Sequence, residues 1–220
     1  PTTGPSEEAT KALASTLRNQ DTDKDLVAGT SATLAVTGTT AVQIDINQKL
    51  AEALPVYLAV VVGLSFIILM IAFRSLLIPL KATLGFLLSV AAMFGALVAV
   101  FQWGWLGVTD APAPIVSFIP IIGIGILFGL AMDYEFFLVS GMQEAFHFSK
   151  KSKQAVVDGF AIGSRVVVAA ALIMISVFAG FISNHDATIQ SMGFALAVGV
   201  AVDAFVVRLV IVPIVMSYLD

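Results

Sequence analysis

IVSFIPIIGIGILFGLAMDYEFFLV, residues 115–139, decides how the rest of the chain is read. The run is long enough to cross a bilayer as a helix and holds no Lys or Arg, yet two carboxylates, Asp133 and Glu135, lie inside it. An ionised carboxylate at the centre of a membrane helix costs on the order of 3 kcal/mol on insertion scales, so an acid there demands a partner or a water-filled cavity. Acids of this kind serve proton relays. The competing reading is an acid that only ties helices together, and for Glu135, nearer the end of the run, the two readings stand level.

Composition agrees with a membrane class. Apolar residues make up 59% of the 220 and charged residues 12%, about half the charge fraction of a soluble domain, with a mean hydropathy of +0.99. There is no cysteine, which excludes disulfides, thiolate metal sites and thiol nucleophiles. The net charge of −4 matters less than its distribution.

Charges divide the chain near Pro55. Residues 1–54 carry both signs, among them Glu7, Glu8, Lys11, Arg18, Asp21, Asp23, Lys24, Asp25, Asp45, Lys49 and Glu52, as a solvated surface does. Five apolar stretches follow, at about 55–73, 82–102, 114–139, 166–182 and 189–216, so an all-α polytopic membrane domain is expected over 55–220. The basic residues past Pro55 are Arg74 and Lys81 between the first two spans, Lys150, Lys151, Lys153 and Arg165 between the third and fourth, and Arg208 near the end of the fifth. All fall on one side. Short cytoplasmic loops collect Lys and Arg, so residues 1–54, 102–113 and 183–188 are expected outside the cell membrane and the C-terminus inside, with Trp103 and Trp105 at the outer interface. A soluble segment that begins outside requires a translocating helix ahead of it, which leads us to expect a fragment or half of a longer transporter.

Within residues 1–54, Ser6-Glu7-Glu8 suits a helix start, with Ala9–Asn19 rich in helix formers and a polar turn at residues 20–24. A strand is expected at about Thr33–Thr37 before a turn at Gly38, and helix again from about Ala41, running into the first span.

The third span places its glycines and its acid on one face. Gly125, Gly129 and Asp133 follow at i, i+4 and i+8, a small-residue stripe that a neighbouring helix can approach closely, so the carboxylate is expected to be shielded from lipid. Tyr134 is turned about 100° away and can meet a different helix. In the fifth span Asp203 and Arg208 are about 7.5 Å apart along an α-helix and about 140° around it, so they do not face each other ideally and each is expected to reach another helix; a structural ion pair or a snorkelling arginine stands level with a relay role.

GLAMDYEFFLVS (129–140), with FRSLLIPLKATLGFLLSV (73–90) before it and RVVVAAALIMISVFAGF (165–181) and VDAFVVRLVIVPIVM (202–216) after it, resembles the C-terminal half of an MMPL-type exporter of the resistance-nodulation-division superfamily. The resemblance covers all five spans. It implies five transmembrane helices forming half of that superfamily's helix bundle, preceded by a small α/β remnant of the extracytoplasmic porter domain in residues 1–54. It also implies proton-driven export of lipids or other hydrophobic molecules, with the N-terminal half, or a second copy, as partner. An Asp-Tyr pair from each half meets at the bundle centre in this family, and Asp133-Tyr134 matches the C-terminal pair; Asp203 and Arg208 match an acid and an arginine on the last helix. One departure is SGMQE, where relatives carry a basic sequence of the SRMRE type, with Gly141 and Gln143 in place of arginines.

Other features carry no chemistry. Gly123, Gly125 and Gly129 have GxGxxxG spacing inside an apolar span, which suits helix packing and not a dinucleotide loop. No G-x-x-x-x-G-K-[ST] sequence occurs, and His147 and His185 stand alone in opposite loops. No enzyme activity, cofactor, metal or nucleic acid is therefore expected. Met132, Met142 and the phenylalanines suit bilayer and helix contact, and Lys150–Lys153 is mainly a topology signal, with contact to anionic lipid heads as a second reading. Two alternatives to a transporter stay open: a membrane scaffold such as a lipid-sensing or protein-export accessory module of the same superfamily, and an inactive fragment.

Overall fold

The computed structural model describes residues 4, 7–19, 35–107, 115–149 and 152–218. These form two compact units, Pro1–Pro55 and Val56–Asp220.

In the first unit, α1 (Glu8–Asn19) has Glu8 in its first turn and Arg18 in its last, the placement that complements a helix dipole. Arg18 grips the Asp45 carboxylate with both terminal nitrogens, at 2.5 and 2.8 Å. Asp45 belongs to α2 (Thr39–Phe73), which starts after Gly38, whose φ of +118° suits a residue without a Cβ, and which has Pro55 inside it. The strand expected at Thr33–Thr37 is absent over Ala35–Thr37, which has no regular structure; residues 33 and 34 lie outside the described residues, as does the polar turn at 20–24. A lone extended segment needs a neighbour for its backbone groups, and among the described residues there is no other strand to supply one. Among the described residues this unit thus shows helix and no α/β character.

From α2 onward the helices suit a membrane. Five helical segments are long and apolar enough to cross one: Thr39–Phe73, Leu77–Gln102, Phe118–Gly141, Gly163–Ile182 and Ala187–Val215. They are built from α2, α3 (Leu77–Leu97) with a π-helical turn at Val98–Gln102, α4 (Phe118–Ser149), α5 (Ser152–Ile182), and a last rod made of α6 (Ala187–Ala201), a π-helical stretch Val202–Ile211 and α7 (Val212–Tyr218). The helix that carries the first of them begins at Thr39, close to the expected Ala41, because the polar residues up to Glu52 sit on helix without breaking it.

Small residues set how closely the rods approach. A Cβ on Gly193 of α6 would lie 2.7 Å from the Phe178 carbonyl oxygen of α5, and one on Gly85 of α3 would overlap the Val207 side chain of the π stretch. Met93, Leu127, Ile124, Leu196 and Val200 fill the space enclosed by α3, α4 and α6. Outward, Val60, Leu64, Ile67 and Ile71 on α2 and Leu172, Ile173 and Val177 on α5 are exposed, the apolar surface of a protein whose solvent is lipid. Between α5 and α6, Asp186 caps the helix by accepting from the Thr188 and Ile189 amides at 2.8 and 3.1 Å. Those donors hold its carboxyl below the usual carboxylate range.

Candidate functional site: a closed charge network beside an open acid

Successive α-helical residues point about 100° apart, so Asp133, Tyr134 and Glu135 on α4 face three directions. Glu135 turns inward and is 2% exposed. Its Oε2 accepts from Nη1 of Arg208 at 3.1 Å, and its Oε1 lies 3.5 Å from Nζ of Lys81, whose side chain is 8% exposed. Arg208 further donates from Nε to Asp203 Oδ2 at 2.7 Å and from Nη2 to the Ala131 carbonyl. Asp203 Oδ1 accepts from the Ser89 hydroxyl at 3.3 Å. Two cations and two carboxylates from α3, α4 and the π stretch thus form one buried group with no net charge. That pairing is what a low-dielectric interior requires, since each ion removed from water costs several kcal/mol unless matched.

Each of Asp203 and Arg208 reaches another helix as expected, and the two also pair with each other, which an α-helix would not favour. In an α-helix residues five apart diverge, but Val202–Ile211 is π-helical, and i→i+5 hydrogen bonding brings residues five apart into register. Arg208 then satisfies both demands, bonding its own rod and α4 together.

Lys81 corrects a sequence expectation. Counted above with the loop cations, it lies near the start of α3 and is buried against Glu135. Neither Lys81 Nζ nor Glu135 Oε1 has a hydrogen bond of good geometry among the described residues, so the contact is an ion pair with spare capacity on both sides.

Tyr134 is half-buried, with the Arg208 guanidinium carbon 5.8 Å from its ring centre, a cation–π distance. Asp133 is different. It is exposed and, among the described residues, has no side-chain hydrogen bond or ion pair. The glycine stripe is only half occupied: a Cβ on Gly125 would lie 2.7 Å from the Tyr57 hydroxyl of α2, whereas Gly129 has nothing within 4 Å. Shielding of Asp133 by a neighbouring helix is therefore not seen among the described residues; α2 covers the Gly125 end of the stripe and leaves the Gly129–Asp133 end open.

Of the expected residues, Tyr134, Asp203 and Arg208 come together and Asp133 stands beside them. Glu135 and Lys81 complete the group and were not foreseen as members. One signal was present: an acid in a span without basic residues must find its cation on another helix.

These features define a multi-pass membrane protein with a matched charge cluster inside its helices. The chain belongs to the MMPL family, whose model matches residues 2–219. It is 46% identical over 220 residues to the membrane protein YdfJ of Bacillus subtilis (strain 168), covering 99% of this chain and 30% of that protein. It is 40% identical over 196 residues to the mycolic acid-containing lipids exporter MmpL11 of Mycolicibacterium smegmatis, covering 88% of this chain and 20% of that one. The trehalose monomycolate exporter MmpL3 of Mycobacterium tuberculosis is 34% identical over 193 residues, covering 85% and 20%. The chain thus spans between a fifth and a third of the length of these relatives.

Proposed function

We propose that this chain is part of a proton-motive-force-driven transporter that exports lipids or other hydrophobic molecules across the plasma membrane. Asp133 carries the proton, Tyr134 is its hydrogen-bonding neighbour, and Asp203 and Arg208 support them. The observation that carries this reading is the contrast on α4. Glu135, Asp203 and Arg208 are committed to one another, whereas Asp133, two residues from Glu135 and inside a membrane-length helix, is left without a partner. A carboxyl in such a place is neutral in one surrounding and charged in another, which is what coupling to a proton gradient needs.

The relatives named as lipid exporters support the substrate class. On this reading the open Gly129–Asp133 strip meets the other half of the transporter or a second copy, and alternating access comes from rocking of the halves about that contact. Residues 1–54 lie outside the cell and the C-terminus inside, following the basic loop residues.

The test is the extractable envelope-lipid profile of cells carrying the intact parent protein, wild type against Asp133→Asn, at equal membrane abundance. Asn keeps size and polarity but cannot carry the proton. Loss of one lipid class from the surface with accumulation inside is the expected result and names the substrate. An unchanged profile would remove Asp133 from the mechanism and favour a scaffold or an inactive segment.

A further inference from the structure

We propose that the outer side of α5 holds one anionic phospholipid as a resident part of the folded protein: Arg165 binds its phosphate, and one acyl chain lies along Val168, Ala169 and Leu172. The inference goes beyond the transport reading, since this lipid is not cargo and the site stands whether or not Asp133 carries a proton.

α5 has two sides. Gly163, Val167 and Ala171 turn toward its neighbours: Val167 and Ala171 are fully buried, and a Cβ on Gly163 would lie 2.9 Å from the Leu138 side chain of α4. On the outer side Ser164, Arg165, Val168, Ala169 and Leu172 line an open groove of about 370 Å³, within the size range of small-ligand sites. Arg165, Val168, Ala169 and Leu172 fall within about 100° of one another around the helix and about 10 Å along it, which makes the groove a straight apolar trough with a cation at one end.

Its depth suits a lipid. The membrane-length apolar segment of α5 begins at Gly163, so Arg165 lies less than one turn inside it and the trough runs on into the hydrocarbon. Lipid phosphates sit at that boundary, and half the hydrocarbon core is about 15 Å thick, so a trough of about 10 Å takes most of the depth of one leaflet. On the proposed orientation this is the cytoplasmic leaflet, whose lipids carry the negative charge.

Its charge selects the headgroup. Arg165 is exposed and, among the described residues, has no hydrogen bond or ion pair. Its planar fork of N–H donors matches phosphate oxygens. No acid lines the groove among the described residues, and the sequence from 150 to 165 sets Lys150, Lys151, Lys153 and Arg165 against the single acid Asp158. A zwitterionic headgroup would bring a second cation to a place with no carboxylate to receive it, whereas an anionic one answers Arg165 and adds none. A protein helix laid in the trough would have to bring its own acid to Arg165; the bilayer supplies a phosphate at that depth unaided.

The experiment titrates the intact parent protein in detergent with phosphatidylglycerol and, separately, with phosphatidylcholine of the same acyl chains, and follows the first bound lipid by native mass spectrometry. Wild type is expected to hold phosphatidylglycerol about tenfold more tightly, the worth of one charge-assisted contact. Arg165→Gln should bring that ratio close to one. Arg74→Gln, which removes another exposed cation just past the end of α2, should leave it in place. Ala169→Trp fills the trough, keeps the charge and should weaken both lipids severalfold. Arg165 and Ala169 are exposed, so these variants are expected to fold as wild type does. Glycerol 3-phosphate, a headgroup without chains, should not compete.

A ratio near one in wild type would overturn the inference and assign the trough to another helix of the parent. A ratio that survives Arg165→Gln, or that falls as far in Arg74→Gln, would reduce it to general surface charge. Unchanged affinity in Ala169→Trp would remove the acyl chain from the trough, and competition by glycerol 3-phosphate would make the occupant a free phosphate.

Discussion

Asp133 and Glu135 are the same chemistry two residues apart on one helix, and the fold treats them in opposite ways. Glu135 is buried and serves two cations, whereas Asp133 is exposed and serves none among the described residues. The difference comes from the helix repeat: a step of two residues is about 200° of rotation, which carries one carboxylate into the cluster and the other onto the opposite face. The carboxylate between Lys81 and Arg208 ties α4 to α3 and the last rod. The other has no such partner among the described residues. On the proposed reading an apolar span with two acids divides the labour between holding helices and handling charge, and variants on the two faces separate these roles.

The largest expected effect is on the closed side. Arg208→Met strands Asp203 and Glu135 as buried carboxylates with only Lys81 and Ser89 to answer them. Removing one partner of a buried ion pair costs about 3–5 kcal/mol, because the charge left behind is uncompensated. Thermal unfolding of the detergent-solubilised protein should show a large drop in midpoint, or folded protein should fail to accumulate. Arg208→Lys should rescue little, since one ammonium cannot replace three directed contacts to Asp203, Glu135 and the Ala131 carbonyl. Wild-type stability in Arg208→Met would show that the network is not what fastens α3, α4 and the last rod together.

Next comes the packing that brings the network's members within reach. Gly85 lies against Val207, one residue from Arg208, and its carbonyl also accepts from the Ser89 hydroxyl at 3.1 Å, the hydroxyl that serves Asp203. Gly85→Leu should cost about 1–3 kcal/mol through overpacking and should push the π stretch away from α3. Val207→Ala in the same molecule should recover part of the loss. If the double variant is no better than Gly85→Leu alone, the close approach of α3 is not what limits that substitution.

How much of this was legible in the sequence follows the physics of each feature. Five membrane-length apolar runs are a property of composition over some twenty residues, and a single chain shows them plainly. Asp133, Tyr134, Asp203 and Arg208 were visible because each is expensive where it stands. Their pairing was not, since it depends on Val202–Ile211 winding as a π-helix, and nothing in VDAFVVRLVI announces a change from i→i+4 to i→i+5 bonding. Lys81 was hidden for another reason. A lysine a few residues from a helix start reads as a loop cation until the position of Glu135, distant in sequence, turns it inward. The expected strand near Thr33–Thr37 shows the reverse error: β-prone residues were given a structure that needs a partner, and Ala35–Thr37 has none among the described residues.

The smallest expected effect on stability is the most discriminating. Asp133→Asn removes a charge that, among the described residues, no side chain pairs with, on a face where Gly129 also has no neighbour. Substitutions away from such contacts usually fall within about 0.5 kcal/mol. Thermal unfolding of the variant should therefore overlay that of wild type even as the proposed lipid export is lost. The matched measurement is Glu135→Gln, which should fall visibly in the same assay because it breaks a shared buried pair. A large stability loss in Asp133→Asn would mean that the Gly129–Asp133 strip is seated against another element in the membrane, through a contact that the asparagine cannot make. The acid would then belong to the architecture, as Glu135 does, and the contrast between the two faces of α4 would collapse into a single structural role.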